Sequence, residues 1–365
     1  MALSAHGAAA APRDGAPSFQ VIGYVSDAQK LPPISARKLD VINFAFATVN
    51  PRHEVFLPRD TAPRSLAALT GLREDNPRLK VVLSIGGWGA GHFSEAAATA
   101  SARKVFIDTS TALMLAHDLD GLDIDWEYPT LPGPGISHSP ADRDNFSQLL
   151  EELRATLDAL GRKHARHYLL TIAAADGEAA QGLDLPRIAR VLDWINLMTY
   201  DFHGSLTPTT GHHAGLRASA LAPPGSRNAV RAVDEFLAGG VPAKKLNLGL
   251  AFYGRRFGDV APEHDGLYQS FGSDGGYTSW QQIRRDFLDK GGFVRHWDEA
   301  AQAAWLWSAA ERRMISYDDP QALRAKAAFV RERGLGGVMY WEQSNDPDEE
   351  LLDVVRGALF PAASP

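Results

Sequence analysis

The chain has 365 residues, which is more than one small core needs and too few for three independent domains of about 100–200 residues. Hydrophobic residues make up 45% and charged residues 22%, which is typical of a folded globular protein and excludes a disordered one. The net charge of −7 argues against a nucleic-acid partner, because such proteins carry a basic surface. No run approaches the roughly 18 apolar residues of a membrane span, so we expect no membrane insertion. The absence of cysteine excludes disulfides and thiolate chemistry.

The N-terminal segment, MALSAHGAAAAPRDGAP (1–17), consists of small, polar and turn-forming residues. It has no cationic start and no apolar stretch, so it is not an intact secretory signal. Its Ala-rich part before Pro12 resembles the end of such a signal. We expect residues 1–18 to form a flexible leader, which is either without function or the remainder of an export signal. On the second alternative the protein is secreted.

Eight short runs of apolar and β-branched residues follow the leader. Their nearly continuous apolar character is typical of parallel strands that are buried on both faces. The runs cover residues 19–25, 41–48, 79–87, 119–128, 168–175, 194–200, 246–254 and 335–342.

Helical patterns lie between these runs, at 102–118, at 142–160 and at 320–334, the last with Pro at its start and Gly at its end. Alternating strands and helices predict an α/β protein with a (β/α)8 TIM barrel, and favour it over an open doubly wound sheet. No glycine-rich phosphate motif opens any of the helices, which weighs against a nucleotide-binding fold.

One interval is too long for a loop between a strand and a helix of such a barrel. Residues 256–317 are rich in glycine and aromatic side chains. We therefore predict a small α+β insertion there, after the seventh strand and on the face where barrels build their sites. Residues 19–255 and 318–360 would form the barrel.

The most informative stretch is DGLDIDWEY (120–128). Side chains alternate between the two faces of a strand, so Asp123, Asp125 and Glu127 point the same way, and the apolar residues between them point the other way. In a barrel the apolar set faces the helices, which leaves three acids inside, near the carboxyl end of the strand. Three carboxylates this close cannot all be ionised at neutral pH, so they must share protons.

Acids at the end of a strand also cap helices, bind Ca²⁺ or Mg²⁺, or are simply solvated. Three inward acids on an apolar strand favour proton transfer over these alternatives, because no structural gain offsets their burial. The outermost acid, Glu127, is then the candidate general acid, and the inner pair tunes it.

Five motifs of the chain, in order, resemble those of glycoside hydrolase family 18, the chitinase family. DGLDIDWEYP (120–129) is similar to its DxxDxDxE motif, and SIGGW (84–88) to its third-strand motif. MTYDFHG (198–204) resembles its sixth-strand motif and YGRRF (253–257) the motif after its seventh strand. GGVMYWE (336–342) resembles its eighth-strand motif.

This resemblance implies hydrolysis of β-1,4-linked N-acetylglucosamine polymers with retention, by a substrate-assisted mechanism without cofactor or metal. The acetamido group of the substrate would attack the anomeric carbon. Glu127 would protonate the leaving oxygen and then activate water. Asp125 would accept a hydrogen bond from the acetamido N–H, and Asp123 would share a proton with Asp125.

The resemblance also implies a substrate-binding surface. Tyr200 and Asp201 would position the acetamido group and the sugar at the cleavage site. The remaining expected substrate contacts are Tyr24, Phe46, Trp88, Met198, Arg255 and Trp341. Of these, Trp341 would form the floor under the sugar and Trp88 a platform on the leaving-group side.

Two rival functions share the same motifs. One is an endo-β-N-acetylglucosaminidase that acts on N-glycans, and the other is a chitin-binding lectin without turnover, which the presence of Glu127 disfavours. The pair His212-His213 does not predict a metal site, because adjacent side chains diverge and no third ligand lies at a suitable spacing. We expect a monomer whose partners are chitin or N-acetylglucosamine oligomers.

Overall fold

The computed structural model describes residues 19–361, so the predicted leader at 1–18 lies outside the described residues. Within that range no helix is both long and apolar enough to cross a membrane. The described strands are β1 (Gln20–Ser26), β2 (Val41–Val49), β3 (Val55–Phe56), β4 (Lys80–Gly86), β5 (Gly121–Asp125), β6 (Leu169–Ala174), β7 (Trp194–Leu197), β8 (Leu246–Ala251), β9 (Tyr253–Gly258), β10 (Ser273–Ser279), β11 (Val294–Asp298), β12 (Ala303–Ser308), β13 (Arg313–Tyr317) and β14 (Gly337–Trp341).

Eight of these strands form one closed parallel sheet, in the order β1-β14-β8-β7-β6-β5-β4-β2, which β1 completes by pairing with β2. Strand β3 only adds a short antiparallel pairing to β2. The (β/α)8 barrel that the sequence predicts is therefore confirmed. Each predicted apolar run overlaps one barrel strand.

Several strands are shorter than predicted, and they are shortened at their carboxyl ends. The run 119–128 holds a strand of only five residues, which ends at Asp125, and the run 194–200 holds one that ends at Leu197. The run 246–254 is divided, because the chain leaves the barrel after Ala251 and enters a second sheet at Tyr253. These truncated ends are where the candidate site residues lie.

The described α-helices are α1 (Ala62–Gly71), α2 (Phe93–Ala98), α3 (Ala100–Ala116), α4 (Asp142–His164), α5 (Glu178–Gln181), α6 (Leu185–Val191), α7 (Ala229–Ala238), α8 (Trp280–Asp286), α9 (Pro320–Arg333) and α10 (Glu350–Leu359). The predicted helices at 102–118, 142–160 and 320–334 correspond to α3, α4 and α9. The ends of α9 follow the sequence signals, since Asp319 caps the first turn through Ala322 N–H and Gly334 ends the helix at φ 61°.

A second sheet of five antiparallel strands lies between β8 and α9, in the order β10-β9-β13-β12-β11. The segment that forms this sheet runs from Tyr253 to Tyr317 and also contains α8. The division of the chain into domains at 256 and 317 stays a prediction, but this sheet occupies the interval that the aromatic-rich sequence marked.

The two faces of β5 differ as the alternation predicts. Leu122, Ile124 and Trp126 belong to the main hydrophobic core between the barrel and its helices. Trp126 stacks on Phe93 of α2 at 5.4 Å between ring centroids and meets Phe146 of α4 edge-on at 5.3 Å. Since this face takes the apolar side chains, the intervening acids turn to the inside of the barrel.

Candidate active site

Asp123 lies inside the barrel and is fully buried. Its carboxylate accepts hydrogen bonds from three hydroxyl groups on other strands of the barrel, those of Tyr24 (2.8 Å), Ser84 (2.7 Å) and Thr171 (2.6 Å). Asn196 adds a longer contact at 3.5 Å. Burial raises the pKa of Asp123, while these hydrogen bonds oppose the shift because they favour the ionised form. The donors fix this carboxylate in place.

Asp125 is the middle acid and is also buried. Its Oδ1 has no hydrogen-bond partner within the described part of the chain. Burial raises the pKa of Asp125 well above its ordinary value, and the negative charges of Glu127 and Asp123 raise it further. Because every one of these causes acts in the same direction, the site favours a proton on Asp125, and the free oxygen is available to a substrate.

Glu127 follows β5 and is partly accessible to solvent. Burial raises the pKa of Glu127 to about 7, the Tyr128 hydroxyl opposes the shift by hydrogen bonding, and the charge of Asp201 supports it. A carboxyl group with this pKa holds its proton in weakly acidic solution and can also release it, which is the requirement for a general acid that later serves as base.

Asp201 lies opposite these acids, after β7, with its backbone at φ 55°. Arg255 of β9 binds its carboxylate with two parallel hydrogen bonds of 2.7 Å each, and His213 Nδ1 lies 3.6 Å from Oδ1. Burial by itself raises the pKa of Asp201, but the His213 and Arg255 contacts outweigh it and hold the pKa below the usual range. Asp201 is therefore ionised wherever Glu127 can be protonated.

An aromatic cluster surrounds the mouth of the barrel and unites most of the predicted substrate contacts. Trp341 stacks on Phe46 with centroids 5.7 Å apart and meets Tyr24 at the same distance. The same cluster contains Tyr24, Phe46, Met198, Tyr200, Tyr253, Met339 and Trp341. It supplies apolar ring surface directly beside the acids.

Tyr200 is buried in this cluster, where burial and the neighbouring acids raise its pKa, so it stays a hydrogen-bond donor. Its hydroxyl contacts the sulfur of Met339 at 3.8 Å. Sulfur is a weak acceptor, so a stronger acceptor on a substrate could take this hydrogen bond.

Trp88 is separate from that cluster and is 57% exposed. It lies beside the ring of Tyr128, with centroids 6.2 Å apart. The Gly-Gly turn before it is required by packing, since Gly87 has φ 91° and an added Cβ would lie 2.7 Å from the ring of Phe46. The turn thus seats Phe46 and leaves the Trp88 ring in solvent.

The structure also places beside the site residues that the sequence did not assign to it. Ser84 and Thr171 hold Asp123, and Tyr253 and His213 pack behind Tyr200 and Asp201. The alternation of β6 could have pointed to Thr171, whose side chain is polar on an otherwise apolar strand. Nothing local to His213 reveals its partner, because the contact joins two positions of one irregular loop that are twelve residues apart.

His212 and His213 point to different carboxylates, at 3.1 Å to Asp298 and 3.6 Å to Asp201. In the range 19–361 no group of three or more His, Cys, Asp or Glu side chains is arranged to hold a metal ion. His212 thus connects the loop after β7 to Asp298 of β11, whereas the His213 contact lies within that loop.

The protein-family model for glycosyl hydrolases family 18 matches residues 20–346. This match covers most of the chain, and a barrel with three inward acids at the end of one strand agrees with it. The chain belongs to glycosyl hydrolases family 18, as its five motifs indicated.

One curated relative is chitinase A1 of Niallia circulans, which is 38% identical over 80% of this chain and 44% of that protein. Mouse (Mus musculus) chitotriosidase-1 is 32% identical over 82% of this chain and 65% of that protein. The chain thus spans less than two thirds of the length of these curated relatives. A solved N-acetylglucosaminidase of the same family from Paenibacillus barengoltzii is 37% identical, with a TM-score of 0.88, over 94% of this chain and 100% of that one.

Proposed function

We propose that the protein is a chitinase that hydrolyses the β-1,4 bonds of chitin and its soluble oligomers with retention. The observation that carries the proposal is Glu127, a carboxyl group at the mouth of the barrel whose pKa burial raises to about 7. The named relatives support the substrate class, since chitinase A1 and chitotriosidase-1 are 38% and 32% identical to this chain.

The first chemical step breaks the bond to the leaving sugar. Protonated Glu127 donates its proton to the glycosidic oxygen, while the acetamido oxygen of the substrate attacks the anomeric carbon. The carbon–oxygen bond to the leaving sugar breaks, and a cyclic oxazolinium ion forms on the remaining one. Glu127 is left ionised.

The second step reverses the proton transfer. Ionised Glu127 takes a proton from water, whose oxygen attacks the anomeric carbon and opens the oxazolinium ring. The product keeps the original anomeric configuration because two displacements occur at one carbon. A pKa of about 7 suits a group that must serve as acid and then as base.

Asp125 and Tyr200 orient the acetamido group. The unpaired Oδ1 of Asp125 accepts a hydrogen bond from the acetamido N–H and stabilises the positive charge of the oxazolinium ion. The Tyr200 hydroxyl exchanges its weak contact with Met339 for the acetamido oxygen. Asp123, which is held by three hydroxyl groups, lies deeper in the barrel than Asp125. In the proposed mechanism these two acids share a proton.

The aromatic surfaces bind the sugar chain. Apolar ring faces pack against the C–H groups of a pyranose, so Trp341, stacked on Phe46, forms the floor at the cleavage site. Exposed Trp88 forms a platform on the leaving-group side, next to Tyr128. Solved relatives of this fold include a chitinase from Cycas revoluta in complex with (GlcNAc)4, at 28% identity, which agrees with such a groove.

The test is a product time course on N-acetylglucosamine hexamer, followed by mass spectrometry in H₂¹⁸O. We expect shorter oligomers with a single ¹⁸O at the new reducing end, and no products from Glu127→Gln. Hexamer that stays intact with the wild-type protein, while a binding assay detects its association, would instead support the chitin-binding lectin.

A second candidate is an N-acetylglucosaminidase, because the Paenibacillus barengoltzii enzyme is matched over its full length. The same time course distinguishes the two activities. Release of monomer alone from the first time point favours the N-acetylglucosaminidase, whereas early dimers and trimers favour the chitinase. A glycoprotein substrate in parallel tests the endo-β-N-acetylglucosaminidase that acts on N-glycans.

Export is also a proposal. It rests on the Ala-rich composition before Pro12. Expression of the gene in its own host, with activity measured separately in medium and cells, would decide it.

A further inference from the structure

The buried imidazole of His213 lies behind the candidate site and has no role in the proposed reaction so far. His213 is 0% exposed and its ring packs against the ring of Tyr253, with centroids 5.2 Å apart. Its backbone is held on both sides, since its N–H donates to Ser316 Oγ (2.8 Å) and its carbonyl accepts from Phe202 N–H (2.9 Å). Phe202 directly follows Asp201, so these contacts fix the distance between His213 and that acid.

The Asp201 side chain is 40% exposed, and two groups contact its carboxylate. Arg255 engages both oxygens, and His213 Nδ1 faces Oδ1 at 3.6 Å. The backbone of Asp201 is in the left-handed region, so the side chain leaves the chain in an unusual direction and depends on these contacts for its orientation.

The tautomer of His213 follows from its surroundings. Both ring nitrogens are buried and neither has a hydrogen-bond partner among residues 19–361, but only Nδ1 faces a carboxylate, at 3.6 Å from Asp201 Oδ1. A neutral imidazole carries one proton, and that proton is stabilised where an acceptor lies. The proton therefore belongs on Nδ1, directed at Asp201.

The charge of His213 follows from the groups that face it. These are Asp201 after β7, Arg255 and Tyr253 on β9, and Asp318 after β13, which is itself paired with buried Lys326 at 2.5 Å. The two carboxylates are balanced by two cations, so an imidazolium ion would leave an excess positive charge in a buried region. Burial accordingly lowers the pKa of His213, although the contact with Asp201 opposes this shift.

We infer that His213 is a positioning residue for the proposed hydrolysis: its neutral ring, with the Nδ1 proton facing Asp201 Oδ1 at 3.6 Å, orients the Asp201 carboxylate without adding a positive charge beside it. The inference rests on the proposed role of Glu127. The charge of Asp201 is one of the causes that raise the pKa of Glu127. If the Asp201 carboxylate moves or loses its charge, the pKa of Glu127 therefore falls. A histidine that became charged in the working range would weaken this effect.

Two substitutions separate this role from simple packing. His213→Asn keeps a short neutral N–H donor near the place of Nδ1, whereas His213→Leu fills a similar space without a donor. We expect His213→Leu to lower kcat/KM about ten-fold and to move the alkaline limb of its pH profile to lower pH by about half a unit. For His213→Asn we expect most of the wild-type kcat/KM and an alkaline limb at the same pH as in the wild-type protein.

A second measurement covers the case in which His213→Leu does not fold. Nitrogen-15 NMR of the histidine side chains of the wild-type protein, with His213 assigned by its loss in His213→Asn, reports tautomer and charge directly. We expect a neutral ring with the proton on Nδ1 at pH about 6, where an ordinary histidine is largely charged.

The inference is overturned if His213 carries its proton on Nε2 or is charged at that pH. It is also overturned if folded His213→Leu keeps the wild-type pH profile, or if His213→Asn is as impaired as His213→Leu. The NMR result does not depend on turnover. A Glu127→Gln variant with full activity would therefore refute the proposed function while leaving the state of His213 measurable.

Discussion

Acidic side chains at the two ends of β5 have opposite surroundings. Asp120, just before the strand, lies at the amino-terminal face of the barrel, where its carboxylate meets Arg73 (2.6 Å), Arg166 (2.5 Å) and Lys80 (3.3 Å). It also accepts from Val81 N–H at 2.9 Å. At the other end, the charges that act on Asp125 are those of two more acids.

The arrangement at the amino-terminal face recurs around the barrel. Asp40 and Asp193, each preceded by leucine and followed by a barrel strand, accept from Val21 N–H (2.9 Å) and Leu170 N–H (2.8 Å) of the adjacent strand. These aspartates satisfy backbone donors where two strands begin, which stabilises the sheet. Within residues 19–361, the acids at the carboxyl end of β5 satisfy no such donors.

The comparison shows how the same residue type takes a structural or a chemical role. An acid whose oxygens are fully used by cations and backbone donors stabilises the fold. An acid buried beside other acids costs stability and has a raised pKa, which makes it useful for proton transfer. The difference predicts that neutralising substitutions at the two ends have opposite consequences.

The largest expected effect is on turnover at the carboxyl end. Asp125→Asn removes the carboxyl group that, in the proposed mechanism, shares a proton with Asp123 and stabilises the oxazolinium ion, so we expect kcat to fall at least about 100-fold. Oligomer binding should stay within a few-fold, because the aromatic groove is unchanged. Isothermal calorimetry and a rate assay on the same preparation check this. Equal losses in both would show that Asp125 serves binding.

The next effect is on stability at the amino-terminal face. Asp120→Asn removes the buried carboxylate that three basic side chains share, and we expect a loss of about 2 kcal/mol in the free energy of unfolding. The matched control is Asp118→Asn, which removes an acid of the same cluster that is 72% exposed and should cost under about 1 kcal/mol. Urea unfolding measures both. If the two variants were equally stable, the structural role of Asp120 would be refuted.

A smaller effect concerns the pH profile. Glu127 must begin protonated, and its pKa of about 7 means that kcat/KM falls as pH rises through that value. Asp201→Asn removes a negative charge that raises this pKa, so the alkaline limb should move to lower pH. Profiles from pH about 4 to 9 test this. A limb in the same place for both proteins would mean that Asp201 does not act on Glu127.

The smallest effect concerns Trp88. Trp88→Ala removes a platform whose stacking contributes about 0.5–1.5 kcal/mol, so KM for soluble hexamer should rise about two- to ten-fold with little change in kcat. Phe56→Ala, another partly exposed aromatic, serves as control. An equal rise in KM for both variants would show a general effect on the surface and not a subsite.

Much of the fold followed from local patterns. The period-two alternation around Asp123 predicted which side chains face inward, because a buried strand leaves the apolar residues no other face. Strand ends were less predictable. The run that continues through Trp126 to Tyr128 keeps an apolar, aromatic composition after the barrel pairing has stopped at Asp125, so composition alone does not mark the end.

The environment of the site was the part that the sequence could not supply. Asp123 depends on Tyr24, Ser84 and Thr171, which come from three other strands, and only the barrel register brings them together. The Arg255 contact with Asp201 likewise requires the second sheet to return against the loop after β7. Such contacts join residues far apart in the chain, and no local pattern encodes them.

The most direct test of the account is Glu127→Gln, with turnover and unfolding measured on one preparation. Folding raises the pKa of Glu127 from 4.5 to about 7, so its contribution to stability falls as pH rises through that window. We therefore predict that the variant loses at least about 100-fold in turnover yet unfolds no more easily at pH about 4, and is more stable than the wild-type protein at pH about 8. Retained turnover would contradict the account. So would a variant that loses turnover and is also less stable than the wild-type protein at pH about 8.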